Sequence, residues 1–73
     1  MVTENKQISI VIVEDFKLTR VGLRCALNSN PDLNVVAECE DAIDGIKKIK
    51  ELNPRFWVDG FRFADNERYW GNG

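Results

Sequence analysis

Histidine is absent from this chain, and cysteine is scarce. The 73 residues include no histidine and two cysteines, Cys25 and Cys39, which lie far apart and form no Cys-x-x-Cys motif. Because histidine is the commonest general base and a frequent metal ligand, its absence removes many kinds of active site. The cysteine spacing argues against a metal role. Both thiols are predicted to be buried in a protein of the reducing cytosol.

An excess of positive charge and long apolar segments are also missing. The net charge is −2, so the chain lacks the basic surface that nucleic-acid binding needs. No apolar run approaches the roughly 20 residues of a membrane span. Residues 1–7 are polar and have no apolar stretch typical of a signal peptide, so they are interpreted as a short solvated tail. The length allows one small domain, which we expect in the cytoplasm.

The strongest signal is a β-branched apolar run, Ile8 to Asp15, that ends in two carboxylates. Such a run predicts a strand buried on both faces, as in a parallel sheet covered by helices. Its last residues reach the carboxyl edge of the sheet, where open α/β folds bind ligands. Glu14 and Asp15 at that edge suit a hard cation such as Mg²⁺. In an arbitrary sequence, two acids after a strand are more often a solvated loop with a helix cap.

Helical and extended patterns alternate along the chain. Residues 8–14 predict the first strand, residues 18–28 a helix and residues 33–39 a second strand. Asp15 or a neighbour is expected to cap the first helix. Glu40 and Asp41 open a second helix, which ends at Asn53 and Pro54. The order β-α-β-α, with a third strand expected next, predicts βαβ units and an α/β fold with a parallel sheet.

Each predicted helix has an apolar face. In the first helix this face should pack on the sheet, with Arg20 and Arg24 on the opposite side; it consists of Leu18, Val21, Gly22, Cys25 and Ala26. The second helix has a comparable stripe of Ala42, Ile43, Ile46 and Ile49, and its lysines are interpreted as a solvated face. Gly45 is expected to allow close packing and not to cradle a phosphate, because no Gly-rich loop accompanies it.

Five short segments in order resemble the receiver domain of bacterial two-component response regulators. They are Val11 to Asp15, Leu18 to Arg24, Pro31 to Glu38, Asp44-Gly45 and Leu52 to Pro54. Val-Glu-Asp followed by Arg-x-Gly-Leu resembles the subclass whose output domain is a LuxR-type helix-turn-helix. The resemblance covers residues 8–54. The chain is therefore interpreted as a polar tail (1–7), a partial receiver domain (8–54) and an atypical tail (55–73).

The resemblance implies a flavodoxin-like, doubly wound parallel sheet with strand order 2-1-3-4-5, of which this chain would hold the N-terminal β-α-β-α-β part. It implies that Glu14 and Asp15 hold Mg²⁺, beside an aspartate on the third strand that accepts a phosphoryl group from a kinase histidine. The metal would neutralise charge during that transfer. A sensor histidine kinase is the implied partner. DNA would be bound only through a separate output domain, and the protein would regulate transcription.

The resemblance ends after Pro54. The following residues, Arg55 to Phe63, do not match the family, and position 60, where the phosphoacceptor should fall, is glycine. Asp59 lies one residue early. Because a slip of one residue turns a strand side chain to the other face, Asp59 is predicted to point away from Glu14 and Asp15. It is named as the nearest acceptor candidate but is not expected to serve.

A shifted reading frame explains this break. If the codons permitted for Arg55 to Gly73 are read from their second base, they allow Asp-Phe-Gly-Leu-Met-Asp-Phe-Gly-Leu-Pro-Ile-Met-Asn-Gly, the missing family sequence in register. We therefore interpret residues 55–73 as the product of a shifted reading frame, and the chain as truncated. The alternative is an evolved aromatic tail that binds a partner. Sequencing the gene across codons 53–56 distinguishes the two.

The sequence thus predicts a fragment of a receiver domain, not an enzyme, that transfers no phosphate by itself. A stand-alone interaction module of flavodoxin-like architecture is the first alternative. A flavodoxin-like enzyme is the second, and the lack of histidine, of a phosphate loop and of a nucleophile–base pair argues against it. The third strand is expected to form an exposed edge that favours self-association.

Overall fold

A four-stranded mixed sheet with two helices forms the described part of the chain. The computed structural model describes residues 7–60 and 62–66. Its elements in chain order are β1 (Ile8–Val13), α1 (Lys17–Asn28), β2 (Leu33–Cys39), α2 (Ala42–Leu52), β3 (Phe56–Asp59) and β4 (Arg62–Asp65). The strands lie in the order β2-β1-β3-β4. This confirms the α/β class and the predicted order of the first three strands. Most of the predicted polar tail, and residues 61 and 67–73 of the atypical tail, lie outside the described residues.

The central strand, β1, pairs in parallel with both β2 and β3. Val13, its last residue, has Cys39 as its partner on one side and Asp59 on the other. The carboxyl ends of all three strands therefore meet at one edge of the sheet. The residues that follow these strands are brought together there, as expected for an open α/β fold.

Strand β4 corrects the prediction that β3 is an exposed edge. It pairs antiparallel with β3, so the sheet is mixed and not all parallel. Gly60 has a φ of 64°, a left-handed conformation that suits a tight reversal between the two strands. The hairpin is closed by an ion pair between Arg55 Nη2 and Asp65 Oδ2 at 3.3 Å.

The core on one face of the sheet is built against α2. Val11, Val13, Cys39 and Ile49 are buried together, with Ala37 and Trp57 packed against them. A Cβ added to Gly45 would lie 2.6 Å from Cγ2 of Val13, which confirms that this glycine allows close packing. The helix begins with Asp41, whose side chain accepts a hydrogen bond from the Asp44 amide, and ends at Asn53 in a left-handed conformation. Both ends agree with the sequence prediction. Ile43, predicted to lie on the core-facing stripe, is 82% exposed.

Helix α1 is rotated relative to the prediction. Leu18 is 75% exposed, and Gly22, Cys25 and Ala26 are also exposed, whereas the Arg20 side chain is only 13% exposed. The predicted apolar face is therefore wrong. Arg20 and Arg24 turn instead toward β2, where both pair with Glu38. Phe16 precedes the helix without a side-chain cap, so the predicted cap by Asp15 is also wrong.

The two cysteines differ in environment. Cys39 is buried, and burial together with the nearby Asp44 carboxylate raises the pKa of its thiol. Cys25 is exposed, contrary to the prediction that both thiols are buried. Among the described residues, no helix is both long enough and apolar enough to cross a membrane.

Candidate functional site

An acidic cavity of about 320 Å³ opens at the carboxyl edge of the sheet. The residues that line it come from the ends of β1, β2 and β3 and from the start of α2. Five of them carry carboxylates, namely Glu14, Asp15, Glu40, Asp41 and Asp59. The topology explains this convergence, because parallel strands deliver the residues that follow them to the same edge. A cavity with this lining favours cations and disfavours anions.

Glu14 is held at the cavity by several hydrogen bonds. Its backbone amide donates to the Cys39 carbonyl at 2.9 Å, which extends the pairing of β1 with β2 by one residue. Its Oε2 accepts a hydrogen bond from the Phe16 amide at 2.9 Å. Its carbonyl accepts a hydrogen bond from Arg20 Nη1 at 2.9 Å. Both the backbone and the carboxylate of Glu14 therefore have a defined orientation, while Asp15 beside it is exposed.

The end of β3 lies on the other side of the same cavity. Asp59 lines it together with Glu14 and Asp15. In the register of the sheet, Asp59 is the partner of Val13 and lies two residues after Trp57, which packs on the α2 face. The prediction that its side chain points away from the acidic pair stays a prediction. The role of Asp59 as an acceptor remains a prediction.

Gly60 lies directly beside the acidic pair. Its amide donates to the Val13 carbonyl at 3.4 Å. A Cβ built on Gly60 would lie 3.7 Å from Oε1 of Glu14. Any side chain at position 60 would therefore reach the Glu14 carboxylate, which agrees with the expectation that the missing acceptor belongs here.

The donor set fits a hydrated magnesium ion better than a fully protein-bound one. Within residues 7–60 and 62–66, no three acidic or cysteine side chains are grouped closely enough to enclose a metal. Mg²⁺ usually keeps several of its waters and takes only one or two carboxylates from the protein. Glu14 and Asp15 can supply those carboxylates, with Asp59 across the cavity.

Arg20 is the site residue that the sequence analysis missed. It was assigned to the solvent face of α1, yet it contacts the carbonyl of Glu14 and lies 3.9 Å from carboxylate oxygens of both Glu38 and Glu40. Its neighbour on the helix, Arg24, pairs with Glu38 at 3.4 Å. The available signal was the spacing of two arginines four residues apart, and this spacing is common on solvated helices.

The fold and the acidic edge are consistent with a partial receiver domain of the flavodoxin-like α/β class. Sequence comparison adds relatives: Transcriptional regulatory protein LiaR of Bacillus subtilis is 32% identical over 47 residues, which are 64% of this chain and 22% of the relative. BtsR of Escherichia coli is 38% identical over 47 residues, 64% of this chain and 20% of the relative. DegU of Brevibacillus brevis is 40% identical over 53 residues, 73% of this chain and 22% of the relative.

These relatives are response regulators, and this chain is related to them as a receiver domain of a two-component regulator. The resemblance found in the sequence is thereby confirmed. The chain spans about a fifth of the length of these curated relatives. No family model matches the chain, and no solved structure matches it significantly.

Proposed function

We propose that this chain is a receiver-type module whose acidic edge binds Mg²⁺ through Glu14 and Asp15 but does not accept a phosphoryl group efficiently. The observation that carries the proposal is the shared cavity, which is lined both by the acidic pair at the end of β1 and by Asp59 at the end of β3. In a phosphotransfer site, bound Mg²⁺ neutralises charge on the phosphoryl oxygens. Glu14, fixed by the Phe16 and Arg20 hydrogen bonds, would orient the ion.

The proposed deficiency follows from Gly60. Phosphoryl transfer needs a carboxylate oxygen aligned for in-line attack, and glycine offers none at the position closest to Glu14. Asp59 reaches the same cavity from the preceding residue, but on the strand and not on the turn. The chain would therefore hold the ion without completing the chemistry, and it would have no enzymatic activity of its own.

The partners belong to the proposal as well. The relatives are named transcriptional regulatory proteins, which supports a cytoplasmic regulator of transcription. A sensor histidine kinase would be the partner of the receiver surface. With a net charge of −2, this chain would reach DNA only through a separate output domain.

The test is a phosphorylation assay with Mg²⁺ and a small phosphodonor, read by intact-protein mass spectrometry. The unchanged chain should show no stable acyl phosphate, and a chain with the receiver reading frame restored after Pro54 should show one. A phosphate adduct that maps to Asp59 and disappears in Asp59→Asn would contradict the proposal. Magnesium binding is measured separately by calorimetry. Neutralising the pair (Glu14→Gln with Asp15→Asn) should weaken it by at least about tenfold to a hundredfold, the loss seen when only the partners of metal ligands are removed.

A stand-alone interaction module is the second candidate, and one observation favours it. A groove of about 180 Å³ between α2 and β3 is lined mainly by apolar residues, including Ile46 and Trp57. Ile46 is 49% exposed, so apolar surface is available at the groove. A cooperative denaturant transition of a clean monomer by size-exclusion chromatography would favour this candidate, because the hairpin would then be a stable structural element.

A further inference from the structure

We propose that Arg20 is a positioning residue for the cation site, holding the Glu14 backbone in the orientation that presents its carboxylate to the cavity. The inference rests on the proposed Mg²⁺ site of Glu14 and Asp15. It concerns a residue on α1, outside the edge of the sheet where the ion would bind. Arg20 would not touch the ion and would act through the Glu14 peptide.

The contacts of Arg20 join three segments of the molecule. Nη1 donates a hydrogen bond of 2.9 Å to the Glu14 carbonyl, just after β1. Nε lies 3.9 Å from Oε1 of Glu38 on β2, and Nη2 lies 3.9 Å from Oε2 of Glu40, which follows β2 and lines the cavity. The guanidinium is planar and presents several donors in a fixed arrangement, so one side chain can hold all three segments. With its side chain 13% exposed, Arg20 is largely screened from water.

The hydrogen bond from Arg20 completes the support of Glu14. The Glu14 amide is held by the Cys39 carbonyl at 2.9 Å, and the Glu14 carbonyl is held by Arg20. Both peptide groups of this residue are therefore fixed, by β2 on one side and α1 on the other. Loss of the second support would let the turn between β1 and α1 rotate, and the carboxylate would lose the orientation that binds an ion without reorganisation.

Electrostatics alone predicts the opposite effect, which makes the inference testable. A positive charge beside the cavity repels a cation, so removal of Arg20 should strengthen Mg²⁺ binding if charge were its only contribution. If Arg20 positions Glu14, its removal should weaken binding in spite of the lost repulsion. The two mechanisms therefore differ in sign and not only in size.

The experiment compares Mg²⁺ affinities, measured by calorimetry, of the unchanged chain and of Arg20→Gln, Arg20→Lys and Arg24→Gln. Arg24→Gln is the matched control, because it removes the same charge from the same helix and the same partner, Glu38. Arg20→Gln should bind Mg²⁺ about tenfold to a hundredfold more weakly, the range for partners of metal ligands. Arg24→Gln should bind as tightly as the unchanged chain or slightly more tightly. Arg20→Lys should fall between Arg20→Gln and the unchanged chain, because an ammonium group can reach the carbonyl but cannot hold three segments.

A second readout does not depend on the ion. In the metal-free protein, the amide NMR signals of Glu14 and Phe16 should shift in Arg20→Gln and stay in place in Arg24→Gln. Binding by Arg20→Gln that equals or exceeds that of the unchanged chain overturns the inference and leaves the proposed site intact. If Arg20→Gln does not fold, Arg20→Lys decides, and an unchanged affinity overturns the inference. If the unchanged chain itself binds no Mg²⁺, both the proposed function and this inference fail.

Discussion

The carboxyl ends of β1 and β3 lie side by side in the sheet, yet they are equipped differently. β1 ends in two carboxylates, and the backbone of the first is fixed by Cys39 and Arg20. β3 ends in Asp59. Gly60 follows it in a left-handed conformation and leads toward β4. One edge of the sheet thus carries a well-supported acidic pair beside a position with no side chain.

Under the proposed function, metal binding and phosphate acceptance would be separable in this fold. The proposed cation ligands depend on β1, β2 and α1, all within the segment that resembles receiver domains. The acceptor depends on the residue that follows β3, where the resemblance to receiver domains has ended. A protein can therefore keep the electrostatic half of the site while lacking the reactive half. Substitutions near the end of each strand test this difference.

Substitution Gly60→Asp should have the largest effect, because it gives the end of β3 the carboxylate that it lacks. A Cβ at this position lies 3.7 Å from Oε1 of Glu14, so the new carboxylate should share the cation. A unit charge about 4 Å from a divalent cation gains about 2 kcal/mol even at the dielectric constant of water, or about thirtyfold in Mg²⁺ affinity. Calorimetric titration measures this gain.

The matched control for that substitution is Gly60→Asn. Both variants place a side chain at a φ of 64°, which costs about 1–2 kcal/mol of stability for residues other than glycine, and asparagine and aspartate tolerate this conformation best. Only the aspartate adds a charge. Equal Mg²⁺ affinities for the two variants would show that position 60 does not face the ion.

Substitution Asn66→Ala tests how the β3–β4 hairpin is held. The Asn66 side chain is buried, and its Nδ2 donates to the Pro54 carbonyl at 2.8 Å and to Oδ1 of Asn53 at 3.1 Å. Its own Oδ1 has no hydrogen-bond partner. The substitution leaves the Pro54 carbonyl without this donor but also removes the unpaired oxygen. We therefore expect a loss of about 1.5 kcal/mol in the free energy of unfolding, toward the lower end of the range of about 1–3 kcal/mol for buried groups that lose a partner.

A urea melt checks this value, with Asn34→Ala on β2 as the control. Asn34 is exposed in a strand, so its truncation should change stability by less than about 0.5 kcal/mol. If Asn66→Ala melts like the unchanged chain, the hairpin is not coupled to the end of α2. The β3 end of the site would then be held by its pairing with β1 and not by Asn66.

Local patterns predicted the elements around β1 well. The β-branched run, the Asp41 cap and the Asn53-Pro54 stop have short-range causes, namely burial on both faces, a side-chain hydrogen bond and a left-handed residue. Gly45 was also interpreted correctly, since an isolated glycine on an apolar helix face has few other uses. These features need no knowledge of distant residues.

The rest of the site depends on long-range contacts, which periodicity does not record. α1 was oriented by its apolar residues, but its arginines turn toward Glu38, fourteen or more residues away. The long apolar stems of arginine can lie against a sheet while the charged ends pair. Strand β4 was not predicted, because the residues after Pro54 were interpreted as the product of a shifted reading frame. The pairing of Asp59 with Val13 is likewise a long-range contact that no local pattern records.

The smallest effect, and the most tightly controlled, is expected from glycine-to-alanine substitutions in the two helices. Gly45 supports the β1 end of the site, because a Cβ there would lie 2.6 Å from Cγ2 of Val13, which precedes Glu14. Overpacking of a core costs about 1–3 kcal/mol, whereas alanine in a helix gains up to about 1 kcal/mol over glycine. Gly45→Ala should therefore lower the free energy of unfolding by about 1 kcal/mol.

A Cβ on Gly22 in α1 would meet nothing within 4 Å, so Gly22→Ala should raise the free energy of unfolding by about 0.5–1 kcal/mol. Urea melts of the two variants should move in opposite directions. A shift of both toward higher stability would show that Val13 can move aside, and that the backbone before Glu14 is less firmly held than the Gly45 contact indicates.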